Sequence, residues 1–230
     1  MVSAVEAAAR NNAHWCDVFC RTHGVSGVFG AEQWTSTRRT PPLYPDAVTL
    51  APTASTDSLL SRIDTSSGCS VKDSFANLDL APAGFRVLFD AEWIRHEPPA
   101  PTPDSATCSF SVIATPGHLD AWEHGWRDGE TATRAFLPTL LSLESVVMFG
   151  QLEGDGVSAG VVAHLSHGCV GISNFFAHGD RDGAWGSCIS TVAHAFPGLP
   201  IVGYESGADL ESSRGQGFVT LGPLRVWLSS

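Results

Sequence analysis

The sequence predicts an α/β protein of the α+β kind, with a mixed sheet and a division into two parts. Three observations predict it. Across residues 108–230 the apolar pattern reads β-α-α-β-β-β-α-β-α-β, an antiparallel meander followed by a crossover helix. The 230 residues are 43% hydrophobic and 16% charged, which suits an ordered chain with a large core. The composition breaks at HEPPAPTPDSATCS, residues 96–109, whose prolines and small residues read as a linker over 98–107. That linker separates an N-terminal part, 1–97, from a C-terminal part, 108–230.

In chain order, the opening segment reads as a helix to about His23, stopped by Gly24. At 100° per residue, Val5, Ala9, Asn12, Cys16, Phe19, Cys20 and His23 share one face. Ala47–Leu50 is strand-like. Ser70–Leu80 and Phe85–Ile94 read as two strands joined by the turn APAG at 81–84 into a hairpin. In the C-terminal part, 109–114 is a short strand. Thr115-Pro116 opens a helix through Trp122 and Trp126, and Arg134–Leu143 reads as a second helix. Strands follow at 145–152, 157–165 and 169–177, with turns at EGDG and SHG. The loop HGDRDGAWG opens a helix to Phe196. Strand 200–205, helix 208–216 and strand 218–228 complete the chain.

The formal charge of −11 argues against a general nucleic-acid or anionic-membrane surface. No segment approaches the ~20 apolar residues of a membrane span, and Met1–Arg10, alanine-rich with Glu6, does not read as a secretory leader. The six cysteines are scattered through a chain too large to need stapling, so they read as reduced thiols of a cytoplasmic protein. HWCDVFCRTH, at 14–23, raises the question of a metal site. Cys16, Cys20 and His23 could meet one zinc ion at helical spacing, but the thiols share the stripe of Val5, Ala9 and Phe19, where packing places small apolar groups. His14 points elsewhere. The expectation is a buried face and no metal. HExxH is absent, as is the Gly-x-Ser-x-Gly elbow of a hydrolase.

Small residues at the start of a helix allow its free N–H groups to close on a phosphate. The stretch Arg181-Asp182-Gly183-Ala184-Trp185-Gly186 lies between a strand and a helix and has that character. Asp180 and Asp182 weigh against it by repulsion. With GISNFFA at 171–177 and Gly217-Phe218 leading into LGPLRVWL, this stretch resembles the GNAT N-acetyltransferase superfamily over about 108–230. The resemblance implies a GNAT-like acyltransferase fold with an additional N-terminal half, similar to the degenerate half of two-part members. It implies acetyl-CoA or a related acyl-CoA as co-substrate, without metal, and a small-molecule amine as acceptor. The acyl arm would lie along Asn174, Phe175, Phe176 and Ala177. The pyrophosphate would lie on Arg181, Gly183, Ala184, Trp185 and Gly186.

Acyl transfer from a thioester to an amine needs a base, oxyanion donors and a proton for the leaving thiolate. By the resemblance, the end of strand 200–205 faces the acceptor, which places Tyr204 and Glu205 there. A buried Glu205 suits a general base, and Tyr204 suits the acid. The two alternate across a regular strand. The family often carries a tyrosine as the acid where this chain has Ser213. Two other readings stay open: a transferase using aminoacyl-tRNA as donor, with Arg21, Arg38 and Arg39 as a local patch, and a binding module that has lost catalysis.

Overall fold

The computed structural model describes residues 3–98, 110–128, 130 and 133–230. In chain order the elements are α1 (Ala4–Thr22), β1 (Val28–Phe29), β2 (Gln33–Thr35), β3 (Ala47–Thr49), α2 (Thr56–Leu60), β4 (Ser70–Asp73) and β5 (Phe85–His96). Then come β6 (Ser111–Val112), α3 (Pro116–Trp126), β7 (Val146–Glu153), β8 (Gly156–Ser166), β9 (Cys169–Ala177), α4 (Arg181–Ala195), β10 (Ile201–Glu205), α5 (Gly207–Gly215) and β11 (Val219–Ser229). The chain divides into two compact units, Met1–Trp93 with Thr220–Ser230, and Ile94–Val219. The predicted linker at 98–107 lies, apart from Pro98, outside the described residues.

In the first unit, α1 starts on a capping box. The Ser3 hydroxyl accepts from the Glu6 amide, and the Glu6 carboxylate accepts from the Ser3 amide at 2.7 Å. It ends where Gly24 takes φ +72°, a conformation open to glycine at little cost. Ala9, Asn12, Cys16, Phe19 and Cys20 are buried, as the stripe predicts. The sheet of this unit runs β1-β2-β3-β4-β11-β5, with β3 and β4 parallel. This corrects the predicted hairpin. β4 stops at Asp73, and β11, antiparallel to it from Arg225↔Asp73 to Leu228↔Ser70, lies between β4 and β5. The Asp73 carboxylate accepts from the Leu78 and Phe75 amides, which turns the chain where the strand was expected to run on. A core of Leu59, Cys69, Val71, Leu80, Phe85 and Trp227 fills the space beside these strands.

In the second unit the sheet runs β10-β9-β8-β7-β6, antiparallel except for the β9–β10 pair. The β8–β9 turn places His167 and Gly168 both at positive φ, the geometry that matches the twist of flanking strands. Helix α3, capped by Thr115 with Pro116 in its first turn, packs on β8 and β9. The helix predicted at 134–143 is absent. The Glu123 carboxylate holds the Ala135 and Phe136 amides at 2.7 and 3.0 Å, and Pro138 biases Leu137 to extended backbone. Only a short 3-10 turn, Pro138–Ser142, remains. The core joins Val161, Ala163, Val170 and Ile172 of the sheet to Trp185, Cys188 and Val192 of α4. No helix among the described residues is long and apolar enough to cross a membrane.

Candidate active site

The sheet of the second unit opens at β9. Across β8 and β9, Gly160 pairs with Phe176 and Val162 with Ser173, so Val161 alone opposes Asn174 and Phe175. This is a β-bulge, and Asn174 takes φ +55°, a region that asparagine tolerates better than most residues. On the other side, the parallel register to β10 is Ile201↔Val170 and Val202↔Gly171. Beyond it no pair joins the two strands. Ser173–Ala177 and Tyr204-Glu205 therefore lie along diverging strand ends. Gly203 marks the point of departure: a Cβ there would stand 3.0 Å from Ile172 Cγ1.

Strand alternation puts the two rings of the sequence FF on opposite faces. The Phe175 ring lies 4.1 Å from Trp185, on the α4 side, while Phe176 meets Trp122 of α3 edge-on at 5.2 Å. Trp185 is fully buried and also touches Phe218, and Ala184 is buried beside it. The indole and the alanine methyl therefore belong to the core of the unit. Ala177 is half-buried at the end of β9.

The predicted phosphate stretch forms the first turns of α4, and carboxylates hold it. Asp180 is the N-cap: its Oδ1 accepts from the Gly183 amide at 3.0 Å. Its Oδ2 lies 2.3 Å from where a Gly183 Cβ would stand. Arg181 is already paired. Its guanidinium forks onto Asp209 of α5, with Nη2 donating to Oδ2 at 2.9 Å and Nε donating to Oδ1. Asp182 adds a second carboxylate to this turn, beside Asp180. Gly186 stands free of backbone crowding, and a Cβ there would meet Gln216 Oε1 at 3.3 Å.

Glu205 ends β10 beside this fork. Burial raises its proton affinity, the Asp209 charge raises it further, and Arg181 opposes both, leaving its pKa pushed up to about 8. Cys188 of α4 feels the same carboxylate, and its thiol is pushed up, mainly by burial. Tyr204 and Glu205 are both half-buried. Ser213, where the resembled family often has its acid, is fully buried and donates to the Leu210 carbonyl at 2.9 Å. It caps the end of α5 together with Gly217, at φ +93°, and the Phe218 amide bonds to the Ser213 carbonyl. Asp209 and Cys188 are the neighbours that reading the sequence did not single out. Asp209, four residues after Glu205 and in the first turn of a helix, was the available hint.

On the α3 side, a cavity of about 670 Å³ is lined by Gly117, Ala121, His124, Gly125, Asp128, Asp155, Gly156, Val157 and His178. His178 Nε2 lies 3.0 Å from the Gly125 carbonyl oxygen. In α1, Cys16 Sγ donates to Asn12 Oδ1 at 3.9 Å and His14 stacks on Phe29. Among the described residues no group of three or more His, Cys, Asp or Glu stands together as a metal cage.

No protein-family model matches the chain, and no curated protein does. Solved structures do. A GCN5-related N-acetyltransferase from Kribbella flavida superposes at a TM-score of 0.66 with 14% identity, covering 96% of this chain and 95% of that one. The chain has the GNAT fold. A second structure, assigned by name to the GNAT acetyltransferase family and from Novosphingobium aromaticivorans, agrees at 0.62 with 12% identity and coverage of 96% and 99%. A Drosophila protein matches at 0.54, with 11% identity, over 96% of this chain and 89% of its own. The two GNAT likenesses run through the first unit as well as the second.

Within the GNAT fold the two ends of the candidate site differ in what they fit. The bulge at Asn174 and the divergence of β9 from β10 suit an extended acyl arm. The start of α4 does not suit a pyrophosphate, because Asp180 takes the Gly183 amide, Asp182 adds charge, and Asp209 takes Arg181.

Proposed function

We propose that the protein is an acyltransferase that moves an acyl group, acetyl in the simplest case, from a thioester to the amine of a small molecule. The observation that carries this reading is Glu205, a carboxyl of raised proton affinity at the end of β10, where that strand leaves the bulged β9. A bound thioester such as acetyl-CoA supplies the activated acyl carbon. The residues of this chain supply the rest. Asn174, Phe175, Phe176 and Ala177 align the acyl arm, with backbone amides of β9 as hydrogen-bond donors. Glu205, deprotonated, takes the proton of the attacking amine, and Tyr204 gives a proton to the departing sulfur. The C–S bond breaks and a C–N bond forms, so the products are an amide and a free thiol. Cytoplasmic residence follows from the same reading, since thioester donors and reduced thiols belong there.

The test is thiol release from acetyl-CoA with a panel of small amines, for the wild type and Glu205→Gln. Turnover that falls roughly 10²-fold in the variant, with folding intact, is the expected result. Full activity in a folded Glu205→Gln protein removes Glu205 from the reaction. Absence of turnover with every amine and every thioester removes the acyltransferase reading and favours a binding module.

A further inference from the structure

The start of α4 carries a consequence for the donor. A pyrophosphate bound at a helix start needs free amides, an uncommitted cation and little nearby negative charge. Here the Gly183 amide is held by Asp180, and the Arg181 guanidinium is held at two points by Asp209. Asp180 and Asp182 in the first turn of α4, Asp209 in the first turn of α5 and, above its pKa, Glu205 at the end of β10 bring negative charge to this region, with Arg181 as the cation among them. Pyrophosphate brought here would lose Coulomb energy against three or four carboxylates. To gain one guanidinium it would have to break the fork with Asp209. The strand side carries no such obstacle. An arm lying along the bulge of β9 meets backbone and the Phe175 ring, and neither penalises an uncharged chain.

We propose that this protein recognises its donor by the uncharged thioester arm alone, as in a pantetheine or cysteamine thioester, and that a nucleotide pyrophosphate adds nothing to its binding. The inference rests on the acyltransferase reading for the use of the arm. It concerns only which part of the donor is held.

The test is a calorimetric titration of the full chain with CoA and with pantetheine, at about 20 and 300 mM salt. Pantetheine should bind as tightly as CoA, within roughly threefold. CoA affinity should rise with salt, because screening weakens a repulsion. Asp180→Asn with Asp182→Asn keeps a side-chain oxygen for the helix cap and removes two charges. It should tighten CoA by roughly tenfold and leave pantetheine unchanged. CoA binding tenfold or more tighter than pantetheine, with affinity falling as salt rises, overturns the proposal, and so does failure of pantetheine to bind. The two readings fail separately. Turnover of acetyl-CoA with a strong preference over acetyl-pantetheine leaves the acyltransferase and removes the inference. Equal binding of CoA and pantetheine without any turnover does the reverse.

Discussion

Arg181 and Asp209 join the first turns of α4 and α5 through a two-point fork, and Glu205 lies within the field of both. The fork therefore does two things at once. It commits the cation that a phosphate would use, and it sets opposing charges beside the candidate base. Each partner can be removed separately, and the two removals have opposite signs.

Asp209→Asn removes the negative neighbour and frees Arg181, and both effects favour ionised Glu205. Arg181→Gln removes the positive neighbour and bares Asp209, and both effects favour the protonated form. The activity of a base rises as it deprotonates, so the rising limb of kcat/KM against pH should centre near about 8 in the wild type. It should move to lower pH by roughly half a unit to one unit in Asp209→Asn and to higher pH in Arg181→Gln. Shifts of the same sign in both variants would show that the fork acts through structure and not charge.

Glu205 also couples stability to pH. Its pKa stands at about 8 in the folded protein against an ordinary 4.5, so between those values the folded state holds a proton that the unfolded chain releases. Folding stability therefore declines as pH climbs through that window. Glu205→Gln cannot ionise. Its melting temperature should match the wild type near pH 5 and exceed it near pH 9 by roughly 3 °C or more. Parallel melting curves at all pH values would place the Glu205 carboxyl in a solvated position.

The fold of the second unit tests through Gly160. A Cβ there would lie 2.2 Å from Trp122 Nε1 and 2.6 Å from Phe176 Cε1, and Trp122 Nε1 already donates to the Phe149 carbonyl at 2.9 Å. Gly160→Ala should cost about 2–3 kcal/mol through overpacking and disturbance of that bond. Gly156→Ala is the control: its nearest neighbour would be the Glu153 carbonyl oxygen at 3.6 Å. Denaturant midpoints should separate the two variants clearly, and equal midpoints would contradict the packing of α3 on β8.

The meander and the crossover were legible because β7, β8 and β9 pair with sequence neighbours, and EGDG and SHG mark their turns. The pairing of β4 was not, because its partner β11 comes from the other end of the chain. The predicted helix at 134–143 failed for a local reason. Pro138 sets Leu137 to extended backbone, so a helix from Arg134 cannot run through it, and only the short turn Pro138–Ser142 follows. In the site, Glu205 was visible as a carboxylate at a strand end. Its tuning was not, because the fork joins residues 28 positions apart whose pairing no local pattern reports.

Ser213 tests whether the tyrosine often found at this place in the resembled family can be restored. Its side chain is fully buried, and its hydroxyl closes the last turn of α5 on the Leu210 carbonyl. A phenol at this point has no free volume to enter. Ser213→Tyr should lower the melting temperature by several degrees and give no gain in turnover, whereas Tyr204→Phe should reduce turnover with little change in melting. A gain in rate from Ser213→Tyr would move the acid from β10 to α5.

The thiols of HWCDVFCRTH in α1 distinguish a packed helix face from a metal site. Cys16 and Cys20 are buried on the stripe with Ala9 and Phe19. Burial pushes both thiols up, above the range in which thiolate forms near neutral pH, although the nearby Lys72 charge lowers Cys16 somewhat. A zinc ion requires thiolates and neutral imidazoles at one point, and the His14 ring is engaged on Phe29. Elemental analysis of protein purified without chelator should therefore find no stoichiometric zinc. A thiol reagent at pH 7.5 should leave Cys16 and Cys20 unmodified in the folded protein and label both after unfolding. Cys16→Ala with Cys20→Ala should lower stability by about 1–3 kcal/mol, the cost of two small cavities, at the same value with and without chelator. One zinc per chain, lost in that double variant, would turn this packed face into a metal site.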